Sequence, residues 1–568
     1  LRYGVGIFTF GESMLNKLSS TAVLALLLSA CSGTNDMPEQ ALSARPAAIE
    51  GHLQFLASDE LEGRDTGSRG HQIAANYIAS QFQTMGLAPA GDNNSYFQQV
   101  PLRSARVQQE SVKLSFRRGE TAWQLSYPQQ FFSGASVHQT NVAMSAPLVF
   151  VSYGLVSEEF GLNDYAALDV SGKIVVQLAG LPASLPSEER AYLGSIKAKL
   201  AAERGAIGVI TIHTPQQEKT RPYANSLLYL TTPRLAWLNA DGEPGNGDSQ
   251  LQGTAYLHPD AAASLFEQEQ QSLADIFSML NADKHPKGFE LKSVASLSGN
   301  STHQQISSPN VIGMLDGSDP QLRDEYVVIT AHSDHIGFSN DLRSEDKINN
   351  GAMDNAAGMA ILLETARMFS ELAVKPKRSI LFVVVTAEEK GLLGADYFAN
   401  NPTRPLPSLV ANVNLDMPVL LYPFADLIAF GANHSTLGQV VADAAAKEGI
   451  GLSPDPMPEQ AIFTRSDHFT LVKQGVPAVF LMTGFTSKDP QQDGGKIWGS
   501  FFAKHYHKPS DDIASLIKEY GPVRYDAGAV FADINFNIAL DIANTPQRPL
   551  WKADSFFNKV FGKEYNRQ

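Results

Sequence analysis

Apolar positions Ile73, Ala74, Tyr77, Ile78, Phe82 and Met85 recur at the spacing of one helix face, and Gly86 follows as a stop. Between about 126 and 295 the texture changes to short apolar runs, "LVFVSYGL", "GKIVVQLAG" and "IGVITIHT", with a charged helix over 187–204, and this stretch reads as a separate small domain. From about 305 strand and helix patterns alternate through "EYVVITAH", "NAAGMAILLETARMF", "RSILFVVVTAEE", "LVANVNLDM" and "VPAVFLMTG". Continuous apolar runs such as Ile380 to Val385 have no polar face, so these strands should be buried on both sides beneath crossover helices. The pattern predicts an α/β layered domain.

Composition narrows the chemistry. The 568 residues carry 44 Lys+Arg against 59 Asp+Glu, a formal net charge of −15 that repels phosphate backbones and makes nucleic acid a poor partner. Cys31 is the only cysteine, so no intrachain disulfide forms and any metal must be held by His, Asp and Glu. That cysteine closes the run "MLNKLSSTAVLALLLSACSG", in which Lys17 supplies a positive start and Ala22 to Leu28 an apolar core. The core is shorter than the roughly 20 residues that cross a bilayer. Leu28-Ser29-Ala30-Cys31 resembles the lipobox of bacterial lipoproteins, so residues 14–31 are expected to be a signal peptide and Cys31 the lipid-bearing N-terminus of an envelope protein, with Ser32 favouring the outer membrane. An ordinary signal peptide, leaving a soluble periplasmic or secreted protein, is the alternative. The expected parts are then a linker over 32–47, an N-terminal part of the main domain over 48–125, the insert over 126–295, the catalytic part over 296–545 and a tail over 546–568.

Ligands of open α/β sheets gather outside the carboxyl ends of the strands, and the unusual polar residues fall there. His332 and Asp334 follow one predicted strand, Glu388 and Glu389 another, and Asp416 a third; Asp354 opens a helix in "NNGAMDNAAG", and His507 lies in "HYHKPSDD". Histidine nitrogen and carboxylate oxygen together suit zinc, and the inventory fits two ions. Asp354 would bridge them, His332 and Asp416 completing one site, Glu389 and His507 the other. Glu388 would be free to take a proton from water and pass it to the leaving nitrogen. Taken singly, each of these residues is more often a hydrogen-bonded pair, a solvated face or a helix cap; their joint order along one domain makes the case. His138, His213, His258 and His285 in the insert are not joined to acidic residues at ligand-like positions, and packing or surface roles are expected for them.

"AHSDHIG", "GAMDNAAGMA", "TAEEKGLLGADYF", "NLDM" and "YHKPSDD" resemble, in that order, the signature segments of the di-zinc exopeptidases that include bacterial leucyl aminopeptidases, glutamate carboxypeptidase and glutaminyl cyclases. "LASDELEGRDTGSRG" resembles their N-terminal helical part, and "YGLVSEEFGLNDYAALDVSGKIVV" a protease-associated insert. The resemblance implies the zinc exopeptidase fold, a central mixed, mostly parallel sheet flanked by helices with a β-rich insert. It implies two zinc ions on His332, Asp354, Glu389, Asp416 and His507, with Glu388 as general base. Asp334 matches the acid that orients His332 through its distal ring nitrogen, and Tyr506 a hydroxyl that helps hold the oxyanion. His335 stands where the family commonly has a small residue. Asp467 and His468 match a segment near the substrate, and His505 is a rival to His507.

The leading expectation is an aminopeptidase acting on peptides with a free N-terminus. A carboxypeptidase would call for a cationic clamp on the substrate carboxylate, and Arg343, Arg404 and Arg465 are scattered. The resemblance also admits a glutaminyl cyclase, or a receptor-like binding protein that has lost its metals; the complete ligand set speaks against the latter.

Overall fold

The computed structural model describes residues 42–247, 250–339, 341 and 345–562. The leader at 14–31, most of the 32–47 linker, Arg343 and the last six residues of the tail lie outside the described residues. The described residues from Ser43 onward form one compact unit. No helix among the described residues is long and apolar enough to cross a membrane.

The sheet of the 296–545 part is mixed and mostly parallel, as expected. Tyr326–His332 lies at its centre, parallel to Ser379–Val385 on one side and to Leu409–Leu415 on the other, and Leu409–Leu415 is parallel to Ala478–Thr483. Antiparallel neighbours close both flanks: Phe289–Leu315 pairs with Ser379–Val385, and Asp426–Phe430 with Ala478–Thr483. Both faces are covered, which explains the unbroken apolar runs. Leu381, Val383 and Val385 point into a cluster with Phe398 and Leu471. Phe382, between them in sequence, faces the other way, with Phe82 and Phe369 each 6.0 Å from its ring. Phe82 is carried by the helix Arg69–Thr84, where Ser68 caps His71 N at 3.1 Å. The helix Pro46–Leu56 starts just inside the stretch read as linker and packs with Gly358–Ser370 and Tyr525–Asn544.

The insert is tied to this sheet by two long antiparallel strands, Phe97–Arg118 and Phe289–Leu315, which run from one part of the molecule into the other. Beyond them Ile174–Leu178, Gly208–Ile212 and Gly253–Leu257 form a parallel set. The single charged helix expected over 187–204 is two helices, Ser187–Ser195 and Lys197–Ala202, broken at Ile196. Lys197 is buried with its ammonium on the carbonyls of Leu178 (2.6 Å) and Gly180 (3.4 Å), which draws the second piece onto a strand end. Three of the insert histidines each meet a single acidic side chain. His213 meets Glu218 at 2.7 Å, His285 meets Asp164 at 2.5 Å, and His258 lies 3.6 Å from Asp260. These pairs come from chain neighbours and from a distant loop, contacts that strand-end bookkeeping does not see. Ser152 approaches the same Nε2 of His285 that Asp164 occupies, so that ring cannot relay a proton between them.

The helix Ser187–Ser195 seats the insert against the C-terminal part of the chain. Glu188 meets His434 at 2.6 Å, and the Tyr192 ring lies 5.2 Å from Phe561 and 5.8 Å from Phe556. Tyr192→Ala removes an aromatic body from this seam and should cost about 2 kcal/mol. The expected result is a lowered unfolding midpoint with early protease cleavage near 187–195, checked by thermal melting and limited proteolysis; an unchanged midpoint and cleavage pattern would show that the seam contributes little.

Candidate metal centre and active site

Three adjacent parallel strands end side by side, and strand spacing of about 4.8 Å places the residues after them within reach of one another. His332 closes the central strand, level with Val385. Glu388 and Glu389 come after that neighbour, and Asp416 after Leu415 on the other side. The chain then turns sharply: Ala387 (φ 56), Met417 (φ 45) and His507 (φ 58) all take left-handed backbone, which non-glycine residues seldom adopt away from functional turns.

All five sequence-predicted ligands meet. His332 Nε2 lies 3.2 Å from Asp416 Oδ1 and 3.4 Å from Asp354 Oδ1. His507 Nε2 lies 3.0 Å from Glu389 Oε2 and 3.2 Å from Asp354 Oδ2. Asp354 therefore turns one oxygen to each histidine–carboxylate pair. Ligand atoms about 2.0–2.1 Å from a tetrahedral zinc are roughly 3.3 Å apart, so both pairs have the right span. The donor chemistry, imidazole plus carboxylate in both places, fits zinc as well. Among the described residues, both groups of three metal-competent side chains include Asp354, and the second contains His335 beside Glu389.

Other residues aim the ligands. His332 Nδ1 donates to a carbonyl oxygen at 3.1 Å, which leaves Nε2 bare toward Asp354 and Asp416. That carbonyl is the main chain of Asp334; the carboxylate expected in this role is 4.0 Å away. It accepts instead from the backbone N–H groups of Glu388 (3.0 Å) and Glu389 (3.4 Å) and from the Thr66 hydroxyl (3.1 Å), because the loop after Val385 offers it unpaired amides. Ser466 donates to Asp416 Oδ2 at 2.5 Å and leaves Oδ1 to His332. Asp511 holds the Asp354 turn by accepting from Met353 N (3.0 Å) and Asp354 N (3.1 Å). Arg64, fully buried, donates to Leu56 O, to Ser333 O (3.1 Å), to Asn350 O (2.6 Å) and to Gly351 O (3.1 Å), tying the N-terminal segment to both ligand loops. Sequence reasoning missed Arg64, Ser466 and Asp511 as functional residues. Their only signal was their place inside the segments "LEGRDTGSRG" and "HKPSDD" and, for Ser466, directly before Asp467 and His468.

The pocket is strongly acidic. Burial raises the Glu388 carboxyl well above the ordinary range; His332 opposes this, and Glu389, Asp467 and Asp416 add to it. Asp467 is driven up in the same way, and neither of its buried oxygens has a hydrogen-bond partner among the described residues. Burial would also raise Asp354, but its hydrogen bonds to His332 and His507 hold it well below the usual value. Burial and Asp354 push Glu389 up, yet His507 and His335 hold it at about 2. A surplus of buried carboxylate with orphaned oxygens is what bound cations relieve.

Beside the cluster runs a cleft whose wall is Met417, Met457, Ile462, Phe480, Met482, Trp498 and Phe502, with Glu388, Asp416, Arg465 and Tyr506 also lining it. The Tyr506 ring stacks on His507 at 3.9 Å and on Phe502 at 4.7 Å. His505 points away, to Ser510 O (3.0 Å) and Glu519 (3.1 Å), so the rivalry with His507 is resolved by ring direction. His468 packs between the Phe463 and Phe480 rings. Arg404 lies over Tyr326, away from the cleft.

The sequence pattern of Peptidase family M28 matches residues 310–521. Aminopeptidase YwaD of Bacillus subtilis is 27% identical over 215 residues, 38% of this chain and 41% of that protein. A probable zinc metalloprotease of Pyrenophora teres f. teres is 36% identical over 112 residues, 20% of this chain and 23% of that protein. The chain thus spans less than half the length of these relatives. A solved aminopeptidase from Aneurinibacillus sp. strain AM-1 aligns over 90% of this chain and 97% of its own, at 19% identity and a TM-score of 0.49.

Although burial lowers the His507 ring, Glu389 and Asp354 raise it to about 10 in the metal-free protein, so at neutral pH the ring carries a proton where a metal would bind. Metal and proton compete for the same nitrogen, so affinity should fall as pH is lowered and loading should release about one proton or more. Calorimetry in buffers of different ionisation heat measures this; metal uptake without proton release would contradict the site.

Proposed function

Since residues 310–521 belong to peptidase family M28, we propose that this chain is a zinc-dependent aminopeptidase holding two zinc ions, which removes N-terminal residues from peptides in the bacterial cell envelope. One observation carries the reading: the two oxygens of Asp354 face separate histidine–carboxylate pairs, His332 with Asp416 and His507 with Glu389. The similarity to an aminopeptidase and to a probable zinc metalloprotease supports both the metal and the reaction class. Zinc bound there would supply Lewis-acid polarisation of the scissile carbonyl and acidify the attacking water.

The protein's own groups do the rest. Glu388 is not needed for either donor set and lines the cleft, with its proton affinity raised by burial and neighbouring carboxylates. It can take the proton of the attacking water and return it to the departing amine, after which the carboxylate is regenerated. Tyr506 lies on the same cleft, where its hydroxyl can donate to the oxygen that gains charge as the carbonyl becomes tetrahedral. The acidic end, Asp416 with Glu388, favours a cationic α-amine, and the methionine and aromatic wall favours an apolar first side chain. Arg465 is the observation that favours a second reading: a guanidinium on the cleft can meet a substrate carboxylate, as a carboxypeptidase requires. The charged apolar leader ending at Cys31 supports envelope anchoring through a lipidated N-terminus, and the 126–295 segment supports a protease-associated insert.

Elemental analysis should find two zinc ions per chain, and exhaustive chelation should abolish turnover until zinc is restored. Glu388→Gln should keep both ions and lower kcat by about 10²–10⁴-fold; an active metal-free protein, or a fully active variant, would overturn the mechanism. Across aminoacyl amides, Leu, Met and Phe should be cleaved at least about tenfold better than Asp or Glu, one methylene-scale discrimination being worth that much. Cleavage of N-acylated peptides only, with Arg465→Ala raising KM, would instead support the carboxypeptidase reading.

A further inference from the structure

Glu389 has two oxygens, and only one faces His507. Its Oε2 lies 3.0 Å from His507 Nε2, while Oε1 lies 2.7 Å from Nδ1 of His335, a residue wholly buried behind the cluster. The distances separate two roles. Atoms sharing one tetrahedral zinc sit about 3.3 Å apart, as His332 does from Asp354 (3.4 Å) and Asp416 (3.2 Å), and His507 from Asp354 (3.2 Å). His335 Nδ1 is too close to Glu389 for that and too far from Asp354, at 4.0 Å. A separation of 2.7 Å is that of a charge-assisted hydrogen bond, and since a ligating carboxylate can only accept, Nδ1 carries the hydrogen.

The ring has no room to swing. Its backbone N–H donates to Arg64 O at 3.1 Å, and its face rests on Gly351 (φ +59), where a Cβ would stand 2.7 Å from the ring carbons. We propose that His335 is a positioning residue: it occupies Glu389 Oε1 and so presents Oε2 alone to the zinc shared with His507, setting the affinity of that one site. The inference rests on the two-zinc reading above, and it adds a residue outside the ligand set. The contact is with a carboxylate ligand, so the bond fixes the orientation of the donor and leaves its charge in place.

The test is zinc content per chain across a series of free-zinc buffers, on the full wild-type chain, His335→Ala, His335→Leu and His335→Asn. Leucine refills the volume without a donor, which keeps the test valid if alanine destabilises the fold, and the asparagine amide places an N–H near the position of Nδ1. Wild type should take up two zinc ions. The Ala and Leu variants should hold one equally well and the second about 10–100-fold more weakly, while Asn recovers most of that loss. Second-site affinity unchanged in both Ala and Leu overturns the proposal. Asn as weak as Leu overturns it too, and points to the ring acting as a ligand or as bulk. A wild type that never binds a second zinc removes the two-zinc reading itself, a result distinct from any variant effect.

Discussion

The Asp354 carboxylate is buried with each oxygen turned to a different histidine, and the carboxyls of Asp334, Glu388, Glu389, Asp416, Asp467 and Asp511 crowd the same space. Like charges at this density destabilise a fold unless they are paired, protonated or neutralised by cations. The surrounding structure answers in several ways. Histidines face the carboxylates that would bind metal, backbone amides face Asp334 and Asp511, and the Arg64 guanidinium sits behind the cluster. The remaining deficit of positive charge is the chemical case for metal at this place.

Support for the ligands comes from parts of the chain that are far apart. Arg64 reaches the loops after the central strand and before Asp354, where it donates to four buried carbonyls, of which that of Gly351 also accepts from Ala356 N. Asp511 comes from the other direction, four residues after His507, and accepts the amides that open the Asp354 turn. One short segment therefore supplies a candidate ligand to one side of Asp354 and an anchor to its backbone. This coupling explains how a site assembled from strand ends, a helix-opening turn and a loop can hold a constant span. The insert joins the same architecture through Glu188 and Tyr192, whose helix lies against the turns Pro458–Gln460 and Ile462–Thr464. Those turns carry Gln460 and Ile462 into the cleft, so the insert backs part of the wall that faces substrate.

Much of this was legible along the chain. The continuous apolar run at 380–385 announces a doubly buried strand because burial on both faces removes the need for alternation, a local property, and the strand patterns ending at Ala331 and Leu415 stand with it in one α/β domain. Their carboxyl ends then name His332, Glu388, Glu389 and Asp416, and the helix-opening turn names Asp354. By composition alone the charge balance makes nucleic acid a poor partner, and the single Cys31 leaves no cysteine cluster to hold a metal. Tertiary structure decided what depends on direction and on distant pairing. His505 and His507 are two positions apart, and with the left-handed turn at His507 one ring faces Asp354 and Glu389 while the other faces Glu519. Asp334 sits where a carboxylate can orient His332, yet its main-chain oxygen does so, because the amides of Glu388 and Glu389 compete for the side chain. His335 against Glu389 and Arg64 against Ser333 are contacts between segments that no periodicity links. Secondary structure is written in short-range patterns of burial; the span of a metal site depends on hydrogen bonds between loops, and those form only when the sheet has brought the loops together.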